Sequence, residues 1–210
     1  MVVARISQSA TGWAGRPASL VDVWRVRLDE AKVPPPTAGE SAGAARFHSP
    51  EHASRYLKAH GALRAILGRY TSGPLDFALG ERGKPYLPHA PEVCFNLSHS
   101  HEMALVAVAH GREVGVDVEK LRPLPRFADI AERFFPPTEL PPADEADFYR
   151  RWTRIEAVLK ACGVGLYGMG THPEGEWTIE EIDAGEGFAA AVAAEGSGVA
   201  VALRDYGEEA

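Results

Sequence analysis

Two carboxylates lie two residues apart in a segment whose apolar and polar side chains alternate. In residues 113–119, Asp117 and Glu119 share one face of the predicted strand and three valines take the other. Adjacent carboxylates repel unless a cation lies between them. Mg²⁺ prefers oxygen ligands and takes one or two carboxylates together with substrate phosphates. The spacing therefore fits a magnesium site, and it equally fits the solvated polar face of an edge strand.

A second candidate pair is Glu156 and Lys160, four residues apart in a predicted helix. This spacing places both side chains on one helix face, and it is also the commonest stabilising surface pair. Trp152 precedes Glu156 by four residues, so the glutamate lies at the edge of the predicted apolar stripe. The pair could therefore project into a cleft or remain an ordinary surface ion pair.

A third polar segment, 96–101, follows a predicted strand and carries Ser98, His99 and Ser100. Hydroxyls, an imidazole and turn amides at a strand end can bind a phosphate, whereas the alternative is a turn with solvated histidines. Four cations are candidate partners of such an anion, because phosphates need cationic donors. They are Arg46, Arg55, Lys84 and Lys160, each of which could equally be a solvated surface charge.

Composition and length limit the possible classes. The chain has 210 residues and a net charge of −7, which does not indicate binding to nucleic acid. Its longest apolar run, 103–109, is far shorter than the roughly 20 residues of a membrane span. Residues 1–20 read as an irregular leader without the apolar core of a secretory signal, and Cys94 and Cys162 read as free thiols. We therefore expect a cytoplasmic protein that does not contact membranes.

The elements that must position these residues follow from periodicity and capping signals. A half-buried strand is predicted at 20–28, a loop at 32–43, and a strand buried on both faces at 104–109. The patterns predict helices and further strands as follows: helices at 50–70, 127–135 and 144–162, and strands at 93–97, 113–119, 177–182 and 187–203, the last turning as a hairpin at 195–198. A boundary near residue 112 then gives two α+β subdomains, 1–112 and 113–210, whose similar outlines suggest a pseudo-twofold.

Six segments occur in the order found in one enzyme family. The chain resembles the surfactin-type (Sfp-like) 4′-phosphopantetheinyl transferases through motifs at 83–88, 95–100, 115–119, 133–135, 152–160 and 163–166. The resemblance implies two pseudo-symmetric α+β subdomains in one chain, with coenzyme A and Mg²⁺ bound in the cleft between them. Two fused halves would supply this cleft within a monomer, although the sequence leaves the oligomeric state open. The implied reaction transfers 4′-phosphopantetheine from coenzyme A to a serine of an apo acyl or peptidyl carrier protein and releases 3′,5′-ADP.

The same resemblance implies roles for individual residues. Asp117, Glu119 and Glu156 match the metal ligands, and Glu156 also matches the proposed general base for the serine hydroxyl. Lys160 matches the lysine that binds phosphate and helps the leaving group to depart. The remaining matches lie at the coenzyme A phosphates (Lys84, Ser98 and His99) and, more loosely, at the nucleotide (Arg46 and Arg55).

Two positions depart from the family pattern. Ile155 and Val164 stand where the family usually has lysine. Because Ile155 directly precedes Glu156, we expect it at the edge of the cleft rather than in the helix's packed stripe. The missing cations leave two alternatives to the transferase. One is a non-catalytic coenzyme A- or carrier-binding protein of the same fold, and the other is a metal-dependent phosphoesterase.

Overall fold

The structure is a computed structural model that describes residue 17, residues 19–164 and residues 175–208. Most of the predicted leader at 1–20 and the Gly165–Leu166 part of the glycine motif lie outside these residues. The elements, in chain order, are β1 (Leu20–Arg27), α1 (Ala38–Ala44), α2 (Pro50–Leu67), β2 (Ala78–Leu79), β3 (Pro85–Tyr86), β4 (Val93–Ser100), β5 (Met103–His110), β6 (Val114–Lys120), α3 (Phe127–Phe134), a 3₁₀ turn (Pro137–Glu139), α4 (Glu145–Ala161), β7 (Trp177–Glu181), β8 (Phe188–Glu195) and β9 (Ala200–Asp205).

Two sheets, each covered by one long helix, form the body of the molecule. The first sheet has the strand order β4-β5-β1-β9 and packs one face on α2; the second has the order β6-β8-β7 and packs one face on α4. Their other faces meet in a shared apolar core that includes Val23, Leu105, Val116 and Val192. The predicted α+β class is therefore confirmed, with a helix–sheet layer from each half of the chain.

Strand β5 lies between β4 and β1 and is buried on both faces, as its unbroken apolar sequence predicts. Strand β1 was predicted to be half-buried, but it lies inside the sheet between β5 and β9 and is buried on both faces. Its polar Asp22 is fully buried and faces α2, where it receives bonds from Tyr70 and Arg204. Partners so distant in sequence leave no local signal of burial.

The last strand corrects the predicted hairpin at 195–198. Strand β8 pairs with β6 and β7, whereas β9 crosses to the first sheet and pairs in parallel with β1. Two strands in different sheets cannot form a hairpin, even though glycines lie between them. The first sheet thus takes one strand from beyond residue 112, and the subdomain boundary at that residue stays a prediction.

Helices α2 and α4 begin at residues whose side chains cap them. The side chains of Ser49 and Asp144 accept backbone N–H bonds at the starts of α2 and α4, and Gly163 follows the end of α4 with φ of 68°. Helix α1 corrects the predicted loop at 32–43. Its signal was a capping box, in which Thr37 and Glu40 each bond the other's backbone N–H. Among the described residues, no helix is both long and apolar enough to cross a membrane.

Candidate active site

The site depends on an unusually close approach between α4 and β6. A Cβ atom on Gly115 would overlap backbone atoms of Ala157 and Ala161, so only glycine lets the helix lie this close to the strand. Residues two apart on a strand share a face, and Gly115, Asp117 and Glu119 therefore all face the helix. The contact brings Glu156 of α4 beside these strand carboxylates.

The predicted strand and helix residues come together with little access to solvent. Asp117 is 3% exposed and Glu156 is 7% exposed. Lys160 Nζ lies 2.6 Å from Asp117 Oδ1 and 2.9 Å from the hydroxyl of Ser98, which itself donates to Asp117 Oδ1 at 2.9 Å. Lys160 thus compensates one strand carboxylate, and Glu156 does not share in that bond.

Two buried carboxylate oxygens have no hydrogen-bond partner among the described residues: Asp117 Oδ2 and Glu156 Oε1. Burial and the charge of Asp117 raise the pKa of Glu156 to about 7, although Lys160 opposes the shift. The pKa of Glu119 is also raised, by burial and then by the charge of Asp117. The three carboxylates therefore lie close enough to repel one another, and their free oxygens are available to a positive group.

The donor set suits a hard cation that takes its remaining ligands from substrate. Within the described chain, no group of three His, Cys, Asp or Glu side chains is arranged so that it could hold a metal ion by itself. Carboxylate oxygens without partners are nevertheless the ligands that Mg²⁺ accepts, and Mg²⁺ keeps several positions for water and phosphate. The residues present thus fit an open site rather than a closed protein cage.

The polar segment 96–101 is not a turn that follows a strand. It continues β4 as far as Ser100, and the turn comes at His101, whose φ is 53°. On alternate residues, Asn96, Ser98 and Ser100 accept the free-edge backbone N–H groups of β6 at 3.0, 3.4 and 3.1 Å. We call these three side chains the polar ladder. Their two-residue spacing indicates side chains on one face of a strand, but it does not reveal the partner strand β6, which lies in the other sheet.

His99 points to the opposite side of β4 from Ser98, as successive strand residues must. Loss of water around its ring, then the neighbouring His60, Lys160 and His52, lower the pKa of His99. The ring therefore takes up a proton less readily than a free imidazole does. Its role at a coenzyme A phosphate stays a prediction.

Lys84 joins the two halves of the chain. Its ammonium contacts Glu113 Oε2 at 2.5 Å and donates to the carbonyl oxygens of Val114 and Ala161 at 3.0 and 2.8 Å. These contacts hold the start of β6 and the end of α4, where a cation also suits the helix dipole. Sequence reasoning missed this clamp, and a role of Lys84 at a coenzyme A phosphate stays a prediction.

The two predicted nucleotide contacts differ in their surroundings. Arg46 is exposed, and its Nε lies 3.5 Å from the carbonyl oxygen of Gly43. Arg55 is held by two carboxylates, with its guanidinium 2.8 Å from both Asp29 and Glu51. Neither arginine contacts Asp117, Glu119 or Glu156, so the structure brings together the carboxylates and Lys160 but not these two cations.

Ile155, which we expected at the cleft edge and outside the packed stripe, is half-buried and belongs to that stripe. It packs against the aromatic cluster formed by α3 and the start of α4, which includes Phe135 and Phe148. The helical period explains this placement, because Phe148, Trp152 and Ile155 lie on one stripe. The family's lysine is therefore replaced here by a packing residue. Val164 is the last described residue before the gap that begins at residue 165.

A cavity of about 440 Å³ lies beside the Lys84 clamp, between the β2–β3 hairpin and the end of α4. Tyr86 and Phe95 line it together with both cysteines, Cys94 and Cys162. The thiols are free, as predicted, and burial raises the pKa of each. The cavity is lined by residues from both halves of the chain and lies outside the carboxylate group.

Fold and site together define an α+β protein with an acidic, partly uncompensated centre between a strand and a helix. Residues 113–198, which contain that centre, match the model of the 4′-phosphopantetheinyl transferase superfamily. The chain is 37% identical over 179 residues to the 4′-phosphopantetheinyl transferase HetI of Nostoc sp., covering 73% of this chain and 76% of that protein.

Two further relatives carry the same description. The chain is 31% identical over 154 residues to the 4′-phosphopantetheinyl transferase Sfp of Bacillus subtilis, covering 66% of this chain and 67% of that protein. It is 33% identical over 141 residues to the putative 4′-phosphopantetheinyl transferase slr0495 of Synechocystis sp., covering 61% and 57%. The chain belongs to the 4′-phosphopantetheinyl transferase family, and the predicted resemblance is confirmed.

Proposed function

We propose that this enzyme transfers the 4′-phosphopantetheine group of coenzyme A to a serine hydroxyl of an apo acyl or peptidyl carrier protein, with Mg²⁺ as the cofactor. The observation that carries the proposal is the pair of unpartnered oxygens on Asp117 and Glu156 beside the Lys160 ammonium. A buried, incompletely compensated acidic centre is costly to keep in a stable fold. The binding of a ligand that brings both a cation and a phosphate explains such a centre better than a structural role does.

Glu156 is the proposed general base. Its pKa of about 7 leaves a substantial ionised fraction at neutral pH, and its Oε1 has no partner in the described chain. The Glu156 carboxylate takes the proton as the serine oxygen bonds to the phosphorus that carries pantetheine. The bond from that phosphorus to the bridging oxygen breaks, and its electron pair leaves with 3′,5′-ADP.

Lys160 is the proposed phosphate ligand. An ammonium has three N–H donors, and the described contacts of Lys160 use two, to Asp117 and Ser98. The third donor is then left for a phosphate oxygen of coenzyme A. A cation held in this way opposes the charge that builds up on the departing phosphate, and it needs no rearrangement to do so.

Asp117, Glu119 and Glu156 would hold the Mg²⁺ ion. When bound, such an ion neutralises pyrophosphate charge and orients the reacting groups. The protein's own contribution is placement: β6 aligns two carboxylates on one face, Gly115 admits α4, and α4 supplies the third. All of these residues come from one chain, which supports a monomeric enzyme. A cytoplasmic location, where coenzyme A and carrier proteins meet, belongs to the same proposal.

The test is to incubate the chain with coenzyme A, Mg²⁺ and an apo carrier protein, and to weigh the carrier by intact-protein mass spectrometry. The proposal expects a gain of one phosphopantetheine group, which is lost when EDTA replaces Mg²⁺. Coenzyme A binding without a mass gain would favour the non-catalytic alternative. Cleavage of coenzyme A in the absence of carrier would favour a phosphoesterase.

A further inference from the structure

The polar ladder repeats one bonding pattern on two successive carboxylates. Ser98 accepts the N–H of Val118 and donates to Asp117, and Ser100 accepts the N–H of Lys120 and donates to Glu119 Oε2 at 3.0 Å. Each serine therefore bonds a carboxylate and the backbone N–H of the residue after it. The repeat ties the orientation of each side chain to the edge of β6.

We infer that Ser100 is a positioning residue, which holds the Glu119 carboxylate in the orientation that a divalent cation requires. The inference rests on the proposed metal role of Glu119. The two carboxylates differ in how they are held, because Asp117 also has Lys160, whereas Ser100 makes the only side-chain hydrogen bond recorded for Glu119 within the described residues.

The orientation of Glu119 needs such support, because its neighbours act against it. Asp117 repels it from the same strand face, and the positive charge of Arg122 offers another partner. The hydroxyl of Ser100 has one donor hydrogen, and Glu119 receives it. One of its acceptor lone pairs receives the N–H of Lys120 at 3.1 Å. Nδ1 of His101 lies 3.4 Å from the same oxygen, and it donates or accepts according to the tautomer of the ring. The bond from Lys120 ties the hydroxyl oxygen to the edge of β6.

The ladder supplies its own matched control. Asn96 accepts a β6 backbone N–H at 3.0 Å, as the serines do, and its recorded bond involves no carboxylate. Asn96→Ala removes one backbone link between β4 and β6, whereas Ser100→Ala removes such a link together with the bond to Glu119. Ser100→Thr retains a hydroxyl at the same position. A general loosening of β6 can thus be separated from a loss of carboxylate orientation.

The experiment titrates Mn²⁺ alone into each protein, follows free Mn²⁺ by electron paramagnetic resonance, and records a thermal melt of each variant. Partners outside the ligand set of a metal site typically change metal affinity by about 10–100-fold, so we expect Ser100→Ala to raise the Mn²⁺ Kd about 10-fold. Ser100→Thr should remain within about twofold of wild type. Asn96→Ala should lower Tm and leave the Kd within about twofold.

Equal Mn²⁺ affinity of Ser100→Ala and wild type, or equal weakening by Ser100→Ala and Asn96→Ala, would overturn the positioning role. The variant Glu119→Gln separates this failure from that of the proposed function. If Glu119→Gln binds Mn²⁺ as wild type does, Glu119 is not a metal ligand, and its proposed metal role fails together with the role of Ser100. If Glu119→Gln loses affinity while Ser100→Ala keeps it, only the role of Ser100 fails.

Discussion

Each helix–sheet layer buries one strand aspartate against its helix, and the two aspartates differ in how completely their carboxylate oxygens are hydrogen-bonded. Asp22 of β1 receives Arg204 Nε on one oxygen at 2.8 Å and the Tyr70 hydroxyl on the other at 2.6 Å. Asp117 of β6 receives both of its recorded side-chain donors on Oδ1, and its Oδ2 has no partner in the described chain.

The neighbours of the two aspartates sharpen this difference. Around Asp22 lie a cation and aromatic rings, with the Arg204 guanidinium 5.6 Å from the centre of the Trp24 ring. Around Asp117 lie Glu119 and Glu156, and burial, followed by the charge of Asp117, raises the pKa of both carboxyl groups. A buried charge whose bonds are complete is tolerated in the fold, and the removal of one of its partners is strongly destabilising. A buried charge with a free oxygen among like charges leaves room for a ligand, and we interpret the two sites accordingly.

The largest expected effect is on catalysis, from Asp117→Asn. This change keeps the shape of the side chain and removes its charge, so it should lower transfer about 1,000-fold, which corresponds to roughly 4 kcal/mol. Stability should stay within about 1 kcal/mol of wild type, because the lost bond to Lys160 is offset by less repulsion of Glu156. Single-turnover transfer and a urea melt measure the two quantities. A variant that transfers at the wild-type rate would remove Asp117 from the mechanism.

The matched change at the other aspartate, Asp22→Asn, should act on stability. It leaves the Arg204 guanidinium buried without its counter-charge, which typically costs about 3–5 kcal/mol. For a chain of this length we expect Tm to fall by roughly 10 °C. Transfer per folded molecule should be unchanged. A normal melt combined with slow transfer would reverse the assigned roles of the two aspartates.

The next largest effect is expected from Gly115→Ala, which tests the close approach of α4 to β6 in the second layer. The added Cβ would overlap the backbone of α4, so the helix must move and should lose about 1–3 kcal/mol of stability. Transfer should fall as well, because Glu156 and Lys160 move with the helix. Gly39→Ala is the control, since its Cβ would meet nothing closer than 4.0 Å. Thermal melts and transfer rates that match between the two variants would contradict the role of Gly115.

The smallest effect is on the pH dependence of stability, from Glu156→Gln. Because the pKa of Glu156 is about 7 in the fold and 4.5 as its ordinary value, the folded state binds the proton more tightly. This group therefore costs stability progressively as pH rises from about 4.5 to 7. In EDTA, the free energy of unfolding of the variant relative to that of wild type should be about 1–2 kcal/mol higher at pH 8 than at pH 5, after allowance for solvent screening. Urea melts at both pH values measure the gain, and an equal difference at each would contradict the raised pKa.

Local patterns in the sequence predicted much of the second layer. The alternation in 113–119 placed Asp117 and Glu119 on one face of a strand, and the four-residue spacing placed Glu156 and Lys160 on one face of a helix. These features depend on periods of two and 3.6 residues, which neighbouring residues alone express. The family resemblance then implied a common role for these residues in binding a metal ion and a phosphate.

The features that were missed depend on contacts between distant residues. Ser98 and Ser100 of the first sheet bond groups of β6 in the second sheet, and Lys84 contacts both β6 and α4. Strand β9 pairs with β1, which lies 180 residues earlier, and the Asp22–Arg204 ion pair joins the same two strands. No period within one segment encodes such a partner. Ile155 shows the converse error, because its helical period indicated packing while the comparison with the family favoured the cleft.

We propose that the free oxygens of Asp117 and Glu156 bind a cation that links the protein to the coenzyme A pyrophosphate. A thermal melt with Mg²⁺ and coenzyme A together tests it most directly. At about 100 times Kd, such a ligand pair adds about 2.7 kcal/mol, and the wild-type Tm should rise by roughly 5–10 °C. EDTA in place of Mg²⁺, or Asp117→Asn in place of wild type, should abolish most of that rise. An equal rise in all three samples would contradict the claim.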